Sequence, residues 1–153
     1  MLRRSIFLRL LLLLLLLLLT IAGCGASAPS PAAGDMSELL GALALRGATI
    51  HQQVSGDAGC ADSTLHPNAL RIDLTLAQDG TDYEVYLFRW RRPVDFDASA
   101  DRFRACFGDY AGSIVGDVDV DSLEVRPWRA FGPAWTDELR RTLDDALRAT
   151  GGG

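Results

Sequence analysis

Ala69-Leu70-Arg71-Ile72-Asp73-Leu74-Thr75-Leu76, then Ala77-Gln78-Asp79-Gly80-Thr81-Asp82, then Tyr83-Glu84-Val85-Tyr86-Leu87-Phe88-Arg89-Trp90 is the stretch that decides the fold. In the first segment Leu70, Ile72, Leu74 and Leu76 alternate with Arg71, Asp73 and Thr75. That is the period of a strand with one buried face and one wet face. Gln78-Asp79-Gly80-Thr81 supplies a hairpin turn. The returning segment is apolar at both parities, with Tyr83, Val85 and Leu87 on one face and Tyr86, Phe88 and Trp90 on the other. Such a strand is central in its sheet, or its second face is covered by a helix or a partner.

Before the hairpin, Leu39, Leu40 and Leu43 mark one face of a helix over Ser37 to Arg46, with Asp35 or Ser37 as its cap and Gly47 at its end. Ala48 to Val54 reads as a first strand, and Ser55 to Asn68 as a long polar loop carrying Cys60. After the hairpin, Pro93 breaks the strand. Phe96, Ala100, Phe103 and Phe107 then recur at helical spacing in a helix from Asp97 to about Tyr110, capped by Asp97 or Ser99. Ile114 to Trp128 holds one or two strand pieces with a break near Asp121-Ser122, and Trp128 to Trp135 reads as an aromatic, proline-bearing loop. A last helix starts at Thr136, with Asp137 and Glu138 in its first turn, Arg148 in its last and a stripe of Leu139, Leu143, Ala146 and Leu147. The pattern predicts an α+β domain of about four antiparallel strands with about three helices packed on one face, in the order α-β-β-β-α-β-α.

The chain opens on a different kind of segment. Arg3, Arg4 and Arg9 form a basic start, and ten consecutive leucines, Leu10 to Leu19, follow. The apolar run to Gly23 is shorter than the roughly 20 residues that a membrane-spanning helix needs, and it has the proportions of a secretory signal. Ile21-Ala22-Gly23-Cys24 closes it. This end of the leader resembles the lipobox of bacterial lipoproteins, in which an aliphatic residue and two small residues precede a cysteine. The resemblance covers Met1 to Cys24 only, and Ile21 stands where leucine is commoner in that family.

The resemblance implies cleavage before Cys24, diacylglycerol on its sulfur and an acyl chain on the new amino terminus. Two or more chains give stable membrane anchoring where one gives reversible binding. The expected organisation is then a signal peptide over residues 1–23, a lipidated cysteine and flexible linker over 24–34, and a single α+β domain over 35–153. The linker, Gly25 to Gly34, has no large apolar side chain to bury. Gly25 stands where aspartate commonly retains a lipoprotein in the inner membrane. The expected location is therefore extracytoplasmic: the periplasmic face of the outer membrane in a diderm cell, otherwise the outer face of the cytoplasmic membrane.

All 15 basic residues are arginine, and three of them, Arg3, Arg4 and Arg9, leave with the leader. The remaining arginines stand against 20 Asp plus Glu, so the mature chain is acidic. That argues against nucleic-acid binding, which needs a basic footprint, and against electrostatic adhesion to anionic lipid, so the lipid on Cys24 must supply the attachment. With Cys24 consumed by lipid, Cys60 and Cys106 remain in an oxidising compartment and allow a single pairing. Their disulfide would close a loop of about 47 residues and contribute roughly 4 kcal/mol.

Chemistry is sparse. Asp117, Asp119 and Asp121 have the spacing that opens a calcium loop, but Ser122 and Trp128 stand where that loop needs glycine and glutamate. His51 and His66 have no spacing that supports a metal site. No Gly-x-Ser-x-Gly elbow exists. No catalytic residue, metal or cofactor is therefore assigned, apart from the lipid expected on Cys24. The candidate partner surface is an aromatic and arginine group, Trp90, Arg91, Arg92, Trp128, Arg129 and Phe131, residue types that dominate binding hot spots. Packing in the core is the competing role for its aromatics. The expected role is a lipid-anchored binding or accessory module of the envelope with an unidentified envelope protein as partner. A small envelope hydrolase and a carrier of a small ligand are the alternatives.

Overall fold

A computed structural model describes residues 35–151. The leader, the Ile21-Ala22-Gly23-Cys24 box and the linker lie outside the described residues. Helix α1 (Met36–Ala44) leads into β1 (Ala48–Ser55), and a 3-10 turn (His66–Asn68) precedes the hairpin of β2 (Ala69–Leu76) and β3 (Asp82–Arg89). Helices α2 (Pro93–Ala98) and α3 (Ala100–Ser113), strands β4 (Val120–Val125) and β5 (Trp128–Pro133), and helix α4 (Asp137–Thr150) complete the domain. The strands form one antiparallel sheet in the order β1-β2-β3-β5-β4. The class is α+β, with five strands rather than four and four helices rather than three among the described residues.

The hairpin forms as its alternation requires, with Leu70 opposite Leu87, Ile72 opposite Val85 and Leu74 opposite Tyr83. Gly80 takes a left-handed φ of 66° in the turn, and Asp79 Oδ1 accepts the Thr81 amide at 2.8 Å. The caps of the first and last helices follow the sequence, whereas Ser99 sits at the N-cap of α3 without a capping hydrogen bond. Asp35 accepts the Glu38 amide, Thr136 accepts the Leu139 amide, and Gly47 follows α1 at a φ of 89°.

β3 is the central strand, and both its faces are covered. Tyr83, Val85 and Leu87 point into a core closed by α1 and α4, through Leu39, Leu43, Leu139, Leu143 and Leu147. Tyr86, Phe88 and Trp90 point into a second core closed by α2 and α3, through Phe96, Phe103, Cys106 and Tyr110. The helices thus lie on both faces of the sheet, not on one. Three stacked layers follow, because a strand with two apolar faces must bury both.

Trp128 to Pro133 is the fifth strand, not a loop. It joins β4 through Arg126-Pro127 alone and inserts between β4 and β3. Its side chains alternate between two buried faces: Trp128 and Ala130 enter the first core, Phe131 the second. Gly132 is needed for this fit, since a Cβ there would lie 2.3 Å from the Glu84 carbonyl oxygen of β3. β4 runs unbroken through Asp121-Ser122, and the register irregularity falls instead in β1, between Ile50 and Gln52. The single helix expected from Asp97 is two. Pro93 opens α2 at the first helical position, where its missing amide proton costs nothing. Ser99 separates α2 from α3 and turns its hydroxyl back onto the Phe96 carbonyl.

Cys60 and Cys106 are joined, with Cα atoms 5.4 Å apart across 46 positions. The bond fastens the segment between β1 and β2 to α3, beside the second core. Gly59 makes the approach feasible: its φ is 67°, and a Cβ would stand 2.9 Å from the Tyr86 ring. Among the described residues no helix is long and apolar enough to cross a membrane.

Candidate functional site

The six residues of the aromatic and arginine group divide sharply. Trp90, Trp128 and Phe131 are core, at 4%, 0% and 0% exposure. Arg129 is buried as well, at 2%. Its guanidinium carbon lies 3.8 Å from the centre of the Phe96 ring, 5.0 Å from that of Trp90 and 5.3 Å from that of Phe103. Nε donates to Glu124 Oε2 at 2.9 Å and Nη1 to Ser99 Oγ at 2.9 Å. A cation so enclosed is stabilised by ring faces and one carboxylate and serves packing. Trp128, Arg129 and Phe131 therefore form no partner surface, and Trp90 contributes only the edge that reaches a cleft. Arg91 and Arg92 alone remain exposed.

Both exposed arginines line a cleft of about 730 Å³ at one end of the sheet. Its floor is built from Leu65, Ala69, Leu70 and Trp90, all buried. Arg89 and Arg91-Arg92 enter from the end of β3, Arg102 from the first turn of α3, and Thr64 and Pro67 from the segment between β1 and β2. Met36, at the start of α1, closes another side. Arg92 is clamped by Asp95, Nε to Oδ2 and Nη2 to Oδ1, each at 2.6 Å. That clamp holds the Asp95 carboxyl below the usual carboxylate range. Arg102 Nη1 donates to Thr64 Oγ1 at 3.3 Å. Among the described residues the lining holds four arginines against one aspartate, in a chain that is acidic overall.

A second hollow, also of about 730 Å³, lies over the part of β1, β2 and β3 that α3 leaves open. There Arg71 is shared among three carboxylates, with Asp57 at 2.9 Å, Asp73 at 2.8 Å and Glu84 at 3.4 Å. The hydrogen bond to Asp57, more than any other contact, raises the Arg71 pKa. Tyr110 Oη donates to Glu84 Oε1 at 2.8 Å, and burial first, then that carboxylate, pushes the phenol up. Beside them His51 Nε2 lies 2.6 Å from Thr75 Oγ1, which donates to Asp82 Oδ1 at 2.5 Å. This row does not make a nucleophile and its base. Thr75 has one proton, and the Asp82 carboxylate can only accept it, so His51 must donate through Nε2. An activated hydroxyl needs the opposite polarity.

Asp117 and Asp119 lie exposed before β4, while Asp121 on β4 pairs with Arg140 of α4. Of the three, only Asp121 lies on a strand. His66 opens the 3-10 turn, away from the contacts of His51. No group of three metal-ligating side chains comes together among the described residues.

Sequence reasoning found Arg91 and Arg92 but missed Arg102, Thr64, Pro67 and Met36. These come from separate elements, and no local spacing signals that they meet. The one available signal was charge: Arg91-Arg92 and Arg102 flank α2, with Asp95 the nearest acid to the pair in sequence. Family models, curated proteins and solved structures provide no match to this chain.

Proposed function

We propose that this protein is a lipid-anchored module of the bacterial cell envelope that acts by binding, with the arginine-walled cleft as its binding site. The observation that carries the reading is the segregation of charge. In an acidic chain, four arginines and one aspartate among the described residues line a cleft with a buried apolar floor. A cleft of this size suits a small ligand or one protruding group of a larger partner, with a few polar groups fixing orientation. A closed apolar cavity, as a carrier of an apolar ligand needs, is a poorer description of a cleft walled by arginines.

The anchor rests on the sequence. Ile21-Ala22-Gly23-Cys24 follows a basic start and a leucine run, as a lipobox does. Cys24 would carry the diacylglycerol and the added acyl chain, and the domain would face the periplasm or the cell exterior. The anchor is tested by the intact mass of the membrane-extracted protein. The expected mass is that of a chain beginning at Cys24 plus two or three acyl chains. Cys24→Ser is expected to abolish that mass and leave the protein uncleaved or released from membranes. An unmodified chain, or membrane fractionation unchanged by Cys24→Ser, would refute the anchor.

A further inference from the structure

We infer that the cleft recognises a phosphate-type oxyanion, either the phosphodiester of a lipid headgroup or a soluble phosphate ester. The inference rests on the cleft being the binding site and deepens that reading. Its first two grounds stand without the anchor, and the third draws on it.

The first ground is how the arginines are used. Most of the described arginines hold a carboxylate, as Arg71, Arg104, Arg140 and Arg148 do. Arg91 and Arg102 have no carboxylate at ion-pair distance among the described residues, and both line this cleft. In a chain with 20 acidic side chains, two such arginines at one place are not explained by a shortage of partners. Arg102 also sits in the first turn of α3, where the helix dipole disfavours a cation. Asp62, linked through Thr64, offsets part of that cost by its charge, but no carboxylate takes the Arg102 guanidinium directly, and local rules broken in this way are expected at functional sites.

The second ground is donor geometry. Guanidinium groups present planar forks of N–H donors that match phosphate and carboxylate oxygens. Arg102 is steadied by Thr64 and Arg92 by Asp95, so their approach is partly set before a ligand arrives. Three guanidinium groups around one hollow suit an anion with three or more oxygens and spread charge. A lone carboxylate is satisfied by a single fork. The floor of Leu65, Ala69, Leu70 and Trp90 then gives an apolar surface to whatever carries the anion.

The third ground is position along the chain. Met36 in the cleft wall is twelve residues after Cys24. A chain of that length spans at most ~40 Å, since each residue contributes no more than ~3.6 Å. If Cys24 carries lipid, headgroup phosphates are within reach of the cleft.

The test uses the full-length protein in neutral-detergent micelles, titrated calorimetrically with three probes. They are inorganic phosphate, short-chain phosphatidylglycerol, and acetate. Short-chain phosphatidylcholine, whose phosphate is balanced by choline, is the control for micelle effects. Saturable binding of phosphatidylglycerol with or without inorganic phosphate is expected, with acetate at least tenfold weaker. Binding of both probes assigns recognition to the phosphate itself, and binding of phosphatidylglycerol alone assigns it to the lipid headgroup. Binding of inorganic phosphate alone assigns it to soluble phosphates.

Arg91→Gln with Arg102→Gln is expected to weaken binding at least tenfold. Arg104→Gln with Arg141→Gln, which removes arginines outside the cleft, is expected to change it less than twofold. Circular dichroism of both variants checks that the fold is kept. If the first variant loses the fold, Arg91→Lys with Arg102→Lys replaces it and is expected to weaken binding severalfold. Acetate binding as tightly as phosphate, no saturable binding of any probe, or equal loss in both glutamine variants would overturn the inference. The intact mass of the same preparation reports acylation of Cys24 separately, so failure of the anchor and failure of the cleft are distinguishable.

Discussion

Phe131→Ala is expected to cost the domain about 3–5 kcal/mol, the usual range for removing a large aromatic from a packed core. Phe131 is the hub of the second core. Its ring lies 5.1 Å from that of Tyr86, 5.6 Å from Phe88, 5.8 Å from Phe103, 5.9 Å from Phe107 and 5.1 Å from Tyr110, centre to centre. Those five rings come from β3 and α3. Truncation therefore opens a cavity exactly where the helix layer meets the sheet, and the disulfide-fastened side cannot collapse freely into it. Urea unfolding checks this. At an m value of about 1.5 kcal/mol/M, the midpoint falls by about 2–3 M with m unchanged. A loss below about 1 kcal/mol would mean that Phe131 is a surface residue and that α3 does not cover this face.

Removal of the disulfide by Cys60→Ala with Cys106→Ala is expected to cost about 4 kcal/mol, because the unfolded chain regains the entropy of a loop of 46 positions. Against a stability of about 5–15 kcal/mol for a domain of this size, that is a large share. It corresponds to a fall in melting temperature of about 15–25 °C. The loss is local as well as global. The segment between β1 and β2 has little regular structure beyond the turn at His66–Asn68, and it supplies Thr64, Leu65 and Pro67 to the cleft. Thermal unfolding with and without reductant measures the first effect. Thiol labelling of the unfolded, unreduced protein, expected to find neither cysteine reactive, checks the bond itself. Reactive thiols, or a melting temperature unmoved by reductant, would contradict the pairing.

How much was legible depended on whether a segment has one buried face or two. β2 was bounded at Ala69 and Leu76 because its polar residues alternate cleanly with its leucines and isoleucine. β3 was legible as a strand with two apolar faces, but cover of its second face was only one of two readings, and the expectation of helices on one face missed the layer of α2 and α3. β5 was missed by the same physics. Trp128 to Phe131 alternates between two buried layers, so no polar face marks it as a strand, and Gly132-Pro133 resembles a loop. Arg129 deepened the error. An arginine beside tryptophan reads as a solvated rim, yet here it is packed among three aromatic rings. Pro93 was read as a stop for β3, but the strand already ends at Arg89 and the proline opens a helix.

The cleft was legible only in part. Arg91-Arg92 could be named from sequence because they sit together. The other walls depend on the sheet order β1-β2-β3, which brings the end of β3 beside the start of β2, and on α3 folding back over the second face. No period or spacing carries that information. It is a property of the packed layers.

The binding claim is tested most directly by photo-cross-linking in living cells. A photoreactive residue would replace Pro67 or Ala98, both exposed on the cleft lining, and in a control Val118, exposed outside it. The account predicts one adduct, lipid or protein, formed from Pro67 and Ala98, absent from Val118, and lost with Arg91→Gln and Arg102→Gln. Adducts of equal yield from all three positions, or adducts from the cleft that persist without the two arginines, would contradict it.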